Sequence, residues 1–313
     1  MEQAYYEAQW PKDGIYFNCY IHEVMNFRYH WHPDDYEMNI LLQGQQYCCR
    51  GKESFLLQAG DVLVVDPNIG HASYGQTQNT IAMVLHFSSR ALRQLTPKNQ
   101  ALSFPLCHSD ETTRNQPGYR LIRCLASQLI LALADGSPYA NYLAKASIEM
   151  IIGTLCHQFA PEVVPSIPEV DEDTQKAMRS IMSYVEHNFA EKISLEDIAQ
   201  MTQYNRTYIS TLFHKSVGIS FYDYLMRVRL QNALKDLVMT DKNLTEIALA
   251  NGFADLKSFN NRFRDLLKCL PSEYRKNVLL TPPQSDYHSM KYIPCDDPLV
   301  AEKLQAFSEG MVM

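Results

Sequence analysis

Two helical units of the same design, set about fifty residues apart, constrain this chain more tightly than any other feature of its 313 residues. In the first, the segment from Ile193 to Thr202 opens on Ser194 as an N-cap, with Asp197 in the first turn. A short oxygen acceptor and a negative charge both suit the unpaired amides at a helix N-terminus. Leu195, Ile198 and Ala199 form the inward stripe. After a break at Gln203-Tyr-Asn205, the segment Arg206–Lys215 reads as a second short helix with Ile209, Leu212 and Phe213 inward. In the second unit, Leu244–Ala250 is the first helix, Asn251-Gly252-Phe253 the turn, and Leu256–Arg264 the second helix, with Phe259 and Phe263 inward. Gly252 is free to take the left-handed backbone of a tight turn. Phe221–Leu237 reads as one long helix holding the units at a fixed separation. This is the layout of a double helix-turn-helix.

The chain before these units has a different period. Ile15–His22, Glu37–Gln43, Gln45–Arg50, Glu53–Gln58, Asp61–Asp66 and Ile81–Phe87 are short runs rich in β-formers, punctuated by Gly44, Gly51-Lys52, Ala59-Gly60 and Pro67–Gly70. Short strands at near-regular spacing predict a sandwich or small barrel. From about residue 117 the period becomes helical: Leu121, Ile122, Leu125, Leu129 and Leu133, then Leu143, Ile148, Ile151, Ile152 and Leu155, broken at Asp135-Gly-Ser-Pro138. Two apolar helices beside a barrel either cap its core or form a dimer surface. The Pro- and acid-rich stretch 161–173 lacks either period and reads as a linker. The expected organisation is α+β in two domains. Residues 1–160 form a ligand-binding and dimerisation domain, 161–173 a linker, 174–277 an all-α double helix-turn-helix domain and 278–313 a tail. In the tail, Pro298–Phe307 has Leu299, Leu304 and Phe307 near one side, a short amphipathic pattern that either docks on a domain or stays free.

A net charge of −7 argues at first against nucleic acid, but its distribution reverses that reading. Residues 174–277 carry 15 Lys and Arg against 11 Asp and Glu, while residues 1–173 carry 11 against 19. The basic residues therefore gather on the helical part. No apolar run approaches the roughly 18 residues of a membrane span, and no secretory leader is visible, so a cytoplasmic protein without a membrane partner is expected. The eight cysteines lack a repeated spacing and read as reduced thiols.

The residues Asp197-Ile-Ala199, Tyr208-Ile-Ser, Leu212-Phe213, Gly218-Ile-Ser-Phe, Tyr224-Leu, Arg227-Val-Arg229, Ala233, Ile247-Ala248, Gly252-Phe253, Ser258-Phe259, Phe263 and Pro271-Ser-Glu-Tyr-Arg275 resemble the DNA-binding domain of the AraC/XylS family over about residues 174–277. Lys257 departs from the small polar residue usual there, and Cys269-Leu270 replaces the usual Gly-Val/Ile. The resemblance implies double-stranded DNA as partner, with two recognition helices entering successive major-groove faces about 34 Å apart. By position in the motif, Thr207, Ser210, Thr211, Lys257, Asn260 and Asn261 face base edges, Asn being suited to adenine and Thr to a thymine methyl, and Leu256 is a further DNA-binding candidate. Arg206, Lys215, Arg262 and Arg264 are expected at phosphates. The alternative is that these polar residues form only a solvated helix face.

In the β region, His30-Trp-His32-Pro-Asp-Asp-Tyr-Glu37 followed by Gly44, then Gly60-Asp61, Pro67 and Gly70-His71, resembles the two cupin motifs. The second departs in spacing and lacks its trailing Asn. The resemblance implies a cupin-like β-barrel with a ligand cavity. Arg28, His30, Trp31, His32, Glu37, Tyr47 and His71 are its candidate ligand residues, with Tyr36 and Tyr74 able to join them. Aromatic rings beside polar groups suit a sugar, so a carbohydrate or related polar effector is the expected ligand, and no cofactor is expected. In metal-binding cupins the residues matching His30, His32, Glu37 and His71 would hold a divalent metal. A structural cluster is the third possibility. The function expected is a ligand-responsive, homodimeric transcriptional regulator rather than an enzyme. The alternative is a metal-dependent cupin enzyme fused to a DNA-binding domain.

Overall fold

Alternating apolar and polar residues in the first ninety positions make strands, and a computed structural model shows where they pair. It describes residues 4–24, 26–51, 53–77, 79–165, 172–279 and 291–310. The strands are β1 (Tyr5–Trp10), β2 (Ile15–Glu23), β3 (Asn26–His30), β4 (Asp35–Gln43), β5 (Gln45–Arg50), β6 (Glu53–Gln58), β7 (Val62–Val65), β8 (His71–Gly75), β9 (Ile81–Ser88) and β10 (Gln100–Ser103). They form a five-stranded sheet, β1-β2-β9-β4-β7, and a four-stranded sheet, β3-β8-β5-β6, all antiparallel. The sheets face each other: Gln46 on β5 donates to Asn39 on β4 at 2.7 Å across the space between them. β1, β3 and β8 were not among the runs read from the sequence.

Helices α1 (Pro117–Asp135) and α2 (Ala140–Gln158) follow, broken where the Gly136 and Pro138 signals placed the break. They cover the outer face of the five-stranded sheet. Phe17, Cys19 and Ile21 of β2 and Met38 and Ile40 of β4 share one core with Ile122, Leu129, Ile148 and Ile151. Leu121 and Leu143, part of that helical period, are exposed. Within the stretch expected as a linker, Glu162–Pro165 forms β11, antiparallel to β10.

The helical region has α3 (Glu172–Asn188), α4 (Leu195–Thr202), α5 (Arg206–Val217), α6 (Phe221–Met239), α7 (Leu244–Ala250), α8 (Leu256–Leu267) and α9 (Pro271–Leu279). The two units open alike. Ser194 with Asp197, and Asn243 with Glu246, make reciprocal capping boxes. Asn205 caps α5 and Asp255 caps α8. Gly252 sits at φ +77°, and a Cβ there would come 2.8 Å from the carbonyl oxygens of Ala190 and Phe189, so both backbone and space demand glycine.

The tail returns to the β region. Ile293 donates to the Ile21 carbonyl at 2.8 Å, and α10 (Pro298–Ser308) buries Val300, Leu304 and Phe307 in the core shared with α1. Among the described residues, no helix is long and apolar enough to cross a membrane.

Candidate functional site

Packing on one stripe of each recognition helix leaves the other stripe free. On α5, Ile209 and Phe213 are fully buried, whereas Arg206, Thr207, Thr211 and His214 are exposed and Ser210 half-buried. On α8, Phe259 and Phe263 are fully buried, while Lys257, Asn261 and Arg264 are exposed and Leu256 and Asn260 half-buried. The Asn260 Oδ1 has no hydrogen-bond partner. Two candidates are engaged within the protein: Arg262 pairs with Asp223 at 2.9 Å, and Arg206 with Glu196 at 3.0 Å. The side chain of Lys215 lies outside the described residues.

The barrel lumen is built by the opposite rule, with the polar side chains pointing in. On β2, Asn18, Tyr20 and His22 alternate with Phe17, Cys19 and Ile21, and only the latter three join the apolar core under α1 and α2. On β4 and β9, Glu37, Asn39 and His86 point the same way as Asn18. Part of the lumen is apolar, lined by Leu41, Leu57, Leu63 and Val65. Another part holds a single carboxylate surrounded by imidazoles. The Nε2 atoms of His71, His86, His32 and His30 stand 2.8, 3.0, 3.3 and 3.7 Å from Glu37 Oε2. Glu37, His71 and His86 are buried, and His30 and His32 stand partly open at the rim. The sequence named four of these five residues. His86 was missed, and its signal was a polar residue on a strand with both faces buried.

The surroundings set the charge of this cluster. Burial alone would raise the Glu37 carboxyl. The neighbouring His71 and the hydrogen bonds from His30, His32 and His71 outweigh that and hold it well below the usual carboxylate range. Farther in, burial pushes His22 down to about 4. Hydrogen bonding shows whether the donor set suits a metal. His71 Nδ1 lies 2.9 Å from the Ile69 carbonyl, which can only accept, so Nδ1 carries the proton. His71 Nε2 then points at the Glu37 carboxylate, 2.8 Å from Oε2. An imidazole tethered to a backbone carbonyl in this way is also the usual arrangement of a metal ligand. His32 Nε2 is inaccessible to solvent and faces Glu37 Oε2 at 3.3 Å. One atom each from His30, His32, Glu37 and His71 lies within 4.8 Å of the others. The residues fit a divalent metal, and those four would hold it.

The expected aromatic platform is not assembled beside this cluster. Trp31 and Tyr47 pack against the core shared with the helical region, and Tyr74 is fully buried in that core. Arg28 lies on β3, and its side chain is outside the described residues. A separate cavity of about 840 Å³ lies among Asp34, Asn68, Arg93, Lys98, Ser103 and Val164.

The helical region matches the family model described as a helix-turn-helix domain over residues 198–277, and the β region matches the AraC-like ligand binding domain over residues 16–147. The TetD protein of transposon Tn10 from Escherichia coli is 34% identical over 102 residues, 33% of this chain and 74% of that protein. The chain belongs to the AraC/XylS family of transcriptional regulators. An HTH-type transcriptional regulator of Staphylococcus aureus strain COL is 29% identical over 161 residues, 49% of this chain. The chain spans 21% of the length of that relative. An AraC-type DNA-binding regulator from Chromobacterium violaceum is 28% identical, covering 34% of this chain and 95% of the solved one, with a TM-score of 0.32.

Proposed function

We propose that this AraC-family chain is a sequence-specific DNA-binding regulator whose DNA contacts respond to an effector held by the Glu37 cluster. One observation carries the reading: two capped helix-turn-helix units, each with a largely exposed polar stripe, share a chain with an inward-facing polar cluster partly open to solvent. Thr207, Ser210, Thr211, Lys257, Asn260 and Asn261 read base edges, Leu256 touches them, and Arg206, Lys215 and Arg264 meet phosphates. Arg262, held by Asp223, is a weaker candidate. The effector domain is taken as residues 1–160 and the DNA-binding domain as 174–277. A second copy docks on α2, where Tyr139, Tyr142, Leu143 and Met150 are exposed. For a carbohydrate or related polar effector, Tyr20 offers an aromatic face near the cluster, its ring 5.9 Å from that of His86, while Trp31 and Tyr47 pack against the core shared with the helical region.

Selection from a pool of random duplexes tests the reading, using the full chain at moderate salt with and without added metal. The expected product is an enriched site with two elements about 10 base pairs apart. A pool with no enrichment in either condition overturns it.

A further inference from the structure

The chain after α9 returns to the β region and takes up the edge of β2 where β1 stops. β1 pairs with β2 from Ile15 to Tyr20. Beyond that point the Glu23 amide donates to the Lys291 carbonyl at 3.0 Å and the Ile293 amide to the Ile21 carbonyl at 2.8 Å, which sets Tyr292 opposite His22. Lys291 Nζ pairs with Glu23 at 2.8 Å, and α10 anchors the tail by burying Val300, Leu304 and Phe307. Tyr292 lies outside both segments that match the family models.

On β2, Tyr20 and His22 point into the lumen, and residues paired across an antiparallel ladder share a face. Tyr292, opposite His22, and Tyr5, opposite Tyr20, therefore lie on the lumen side. Their rings touch. Tyr5 stacks on Tyr20 with centroids 5.7 Å apart, and Tyr292 meets Tyr20 edge-on at 5.3 Å. Tyr20 in turn lies 5.9 Å from His86, whose Nε2 is 3.0 Å from Glu37 Oε2. Exposure falls along this line, from 41% at Tyr292 to 7% at both Tyr20 and His86. The tail thus supplies the outermost ring of a wall that leads from solvent to the Glu37 cluster.

Strand pairing puts Tyr20, Val84 and Asn39 in one row across β2, β9 and β4. The backbones of Tyr20 and Asn39 are then two strand spacings apart, about 10 Å, with a valine between them. Asn39 Oδ1 accepts from Gln46 Nε2, and Gln46 Oε1 is buried without a hydrogen-bond partner. A buried acceptor in that state is completed by a ligand that donates. Aromatic faces on one side and an unpaired acceptor on the other match a neutral polyhydroxylated ring, whose C–H face packs on aromatics and whose hydroxyls donate and accept.

We propose that the C-terminal tail completes the effector site, with Tyr292 and Tyr20 forming the aromatic wall for a neutral cyclic polyol whose hydroxyls meet Gln46 and the Glu37 cluster. This rests on the function proposed above, in which the cluster holds the effector. Tyr292 follows α9 in the chain, so the wall is covalently continuous with the DNA-binding region.

The full chain is titrated by calorimetry with neutral pentoses, hexoses and inositols. At least one should bind, with one molecule per chain. Tyr292→Ala should weaken it at least tenfold and Tyr292→Phe less than threefold, since the ring and not its hydroxyl makes the wall. Gln46→Met, which removes the unpaired acceptor, should weaken it as much as Tyr292→Ala. No binding by any of these rings overturns the proposal, while the duplex selection above would still stand. Equal binding by Tyr292→Ala removes the tail from the site. A second readout needs no ligand. Diethyl pyrocarbonate acylates accessible neutral imidazoles, and peptide mass spectrometry would follow His22, opposite Tyr292. Its modification should run at least fivefold faster in Tyr292→Ala than in the wild type or Tyr292→Phe. An unchanged rate would show that the tail does not close the lumen, and would overturn its part in the site.

Discussion

The helical region and the β region place their functional residues by opposite rules. On α5 and α8 the packing residues point in and the reading residues point out, so one buried stripe identifies both sets. On β2, β4 and β9 both faces are buried, one against α1 and α2 and one against the lumen, and the functional residues lie inside with the core. A helix face exposes its chemistry at little cost, whereas a lumen must satisfy each polar group it encloses. The helical site is therefore made of independent contacts, and the lumen site of mutually dependent ones.

Substitutions can break or sharpen that contrast. The largest expected effect is Phe259→Ala on α8, where a fully buried ring joins Phe253 and Phe263. It should cost about 3–5 kcal/mol in denaturant unfolding and abolish specific DNA binding. A loss below 1 kcal/mol would mean the inward stripe does not hold the second unit.

The lumen should show itself in acid. His22 is buried with its pKa pushed down to about 4, against about 6.5 when unfolded. Between these values the unfolded chain binds more protons, so stability falls as pH drops from 6.5 toward 4. His22→Gln should remove about 2 kcal/mol of the stability difference between pH 7 and pH 4.5, read from denaturant unfolding. An unchanged pH dependence would show that His22 is not held neutral in the lumen.

Next in size is Asn261→Ala, which leaves folding intact because the side chain is exposed. It should cost about 1–3 kcal/mol at the selected site and relax preference at one base pair. Equal weakening on unrelated duplexes would make it a backbone contact. The smallest effect is expected of Arg206→Ala. Its pairing with Glu196 lies on the surface, so stability should change by less than about 1 kcal/mol. The slope of affinity against salt should fall by about one phosphate contact. An unchanged slope would place Arg206 off the DNA.

Both regions were legible in the sequence, to different depths. The helical elements followed from period, caps and the matched spacing of two units, and α6 ran only two residues past its expected end. What the sequence hid there was that Arg227 faces the β region while Arg229 fastens α6 to the Phe189 and Glu191 carbonyls, since a helix's inward stripe does not say which neighbour it meets. In the β region, His30, His32, Glu37 and His71 came together as their motif spacing implied. His86 and Asn18 did not stand out because strand pairing, which no local pattern records, brings them to the cluster. β3 and β8 were obscured for a related reason: their ladder is irregular between Phe27 and His30, so alternation is broken. Trp31 and Tyr47, named as pocket residues, pack against the core shared with the helical region, a neighbour that no local pattern records.

The central claim is that two reading units held apart by α6 recognise DNA together, and spacing tests it most directly. Fluorescence anisotropy would compare the selected duplex with one carrying about 5 extra base pairs, half a helical turn, between its two elements. At least a tenfold loss of affinity is expected, because a rigid 19-residue helix cannot follow the second element around the duplex. Equal affinity for the two duplexes would contradict it.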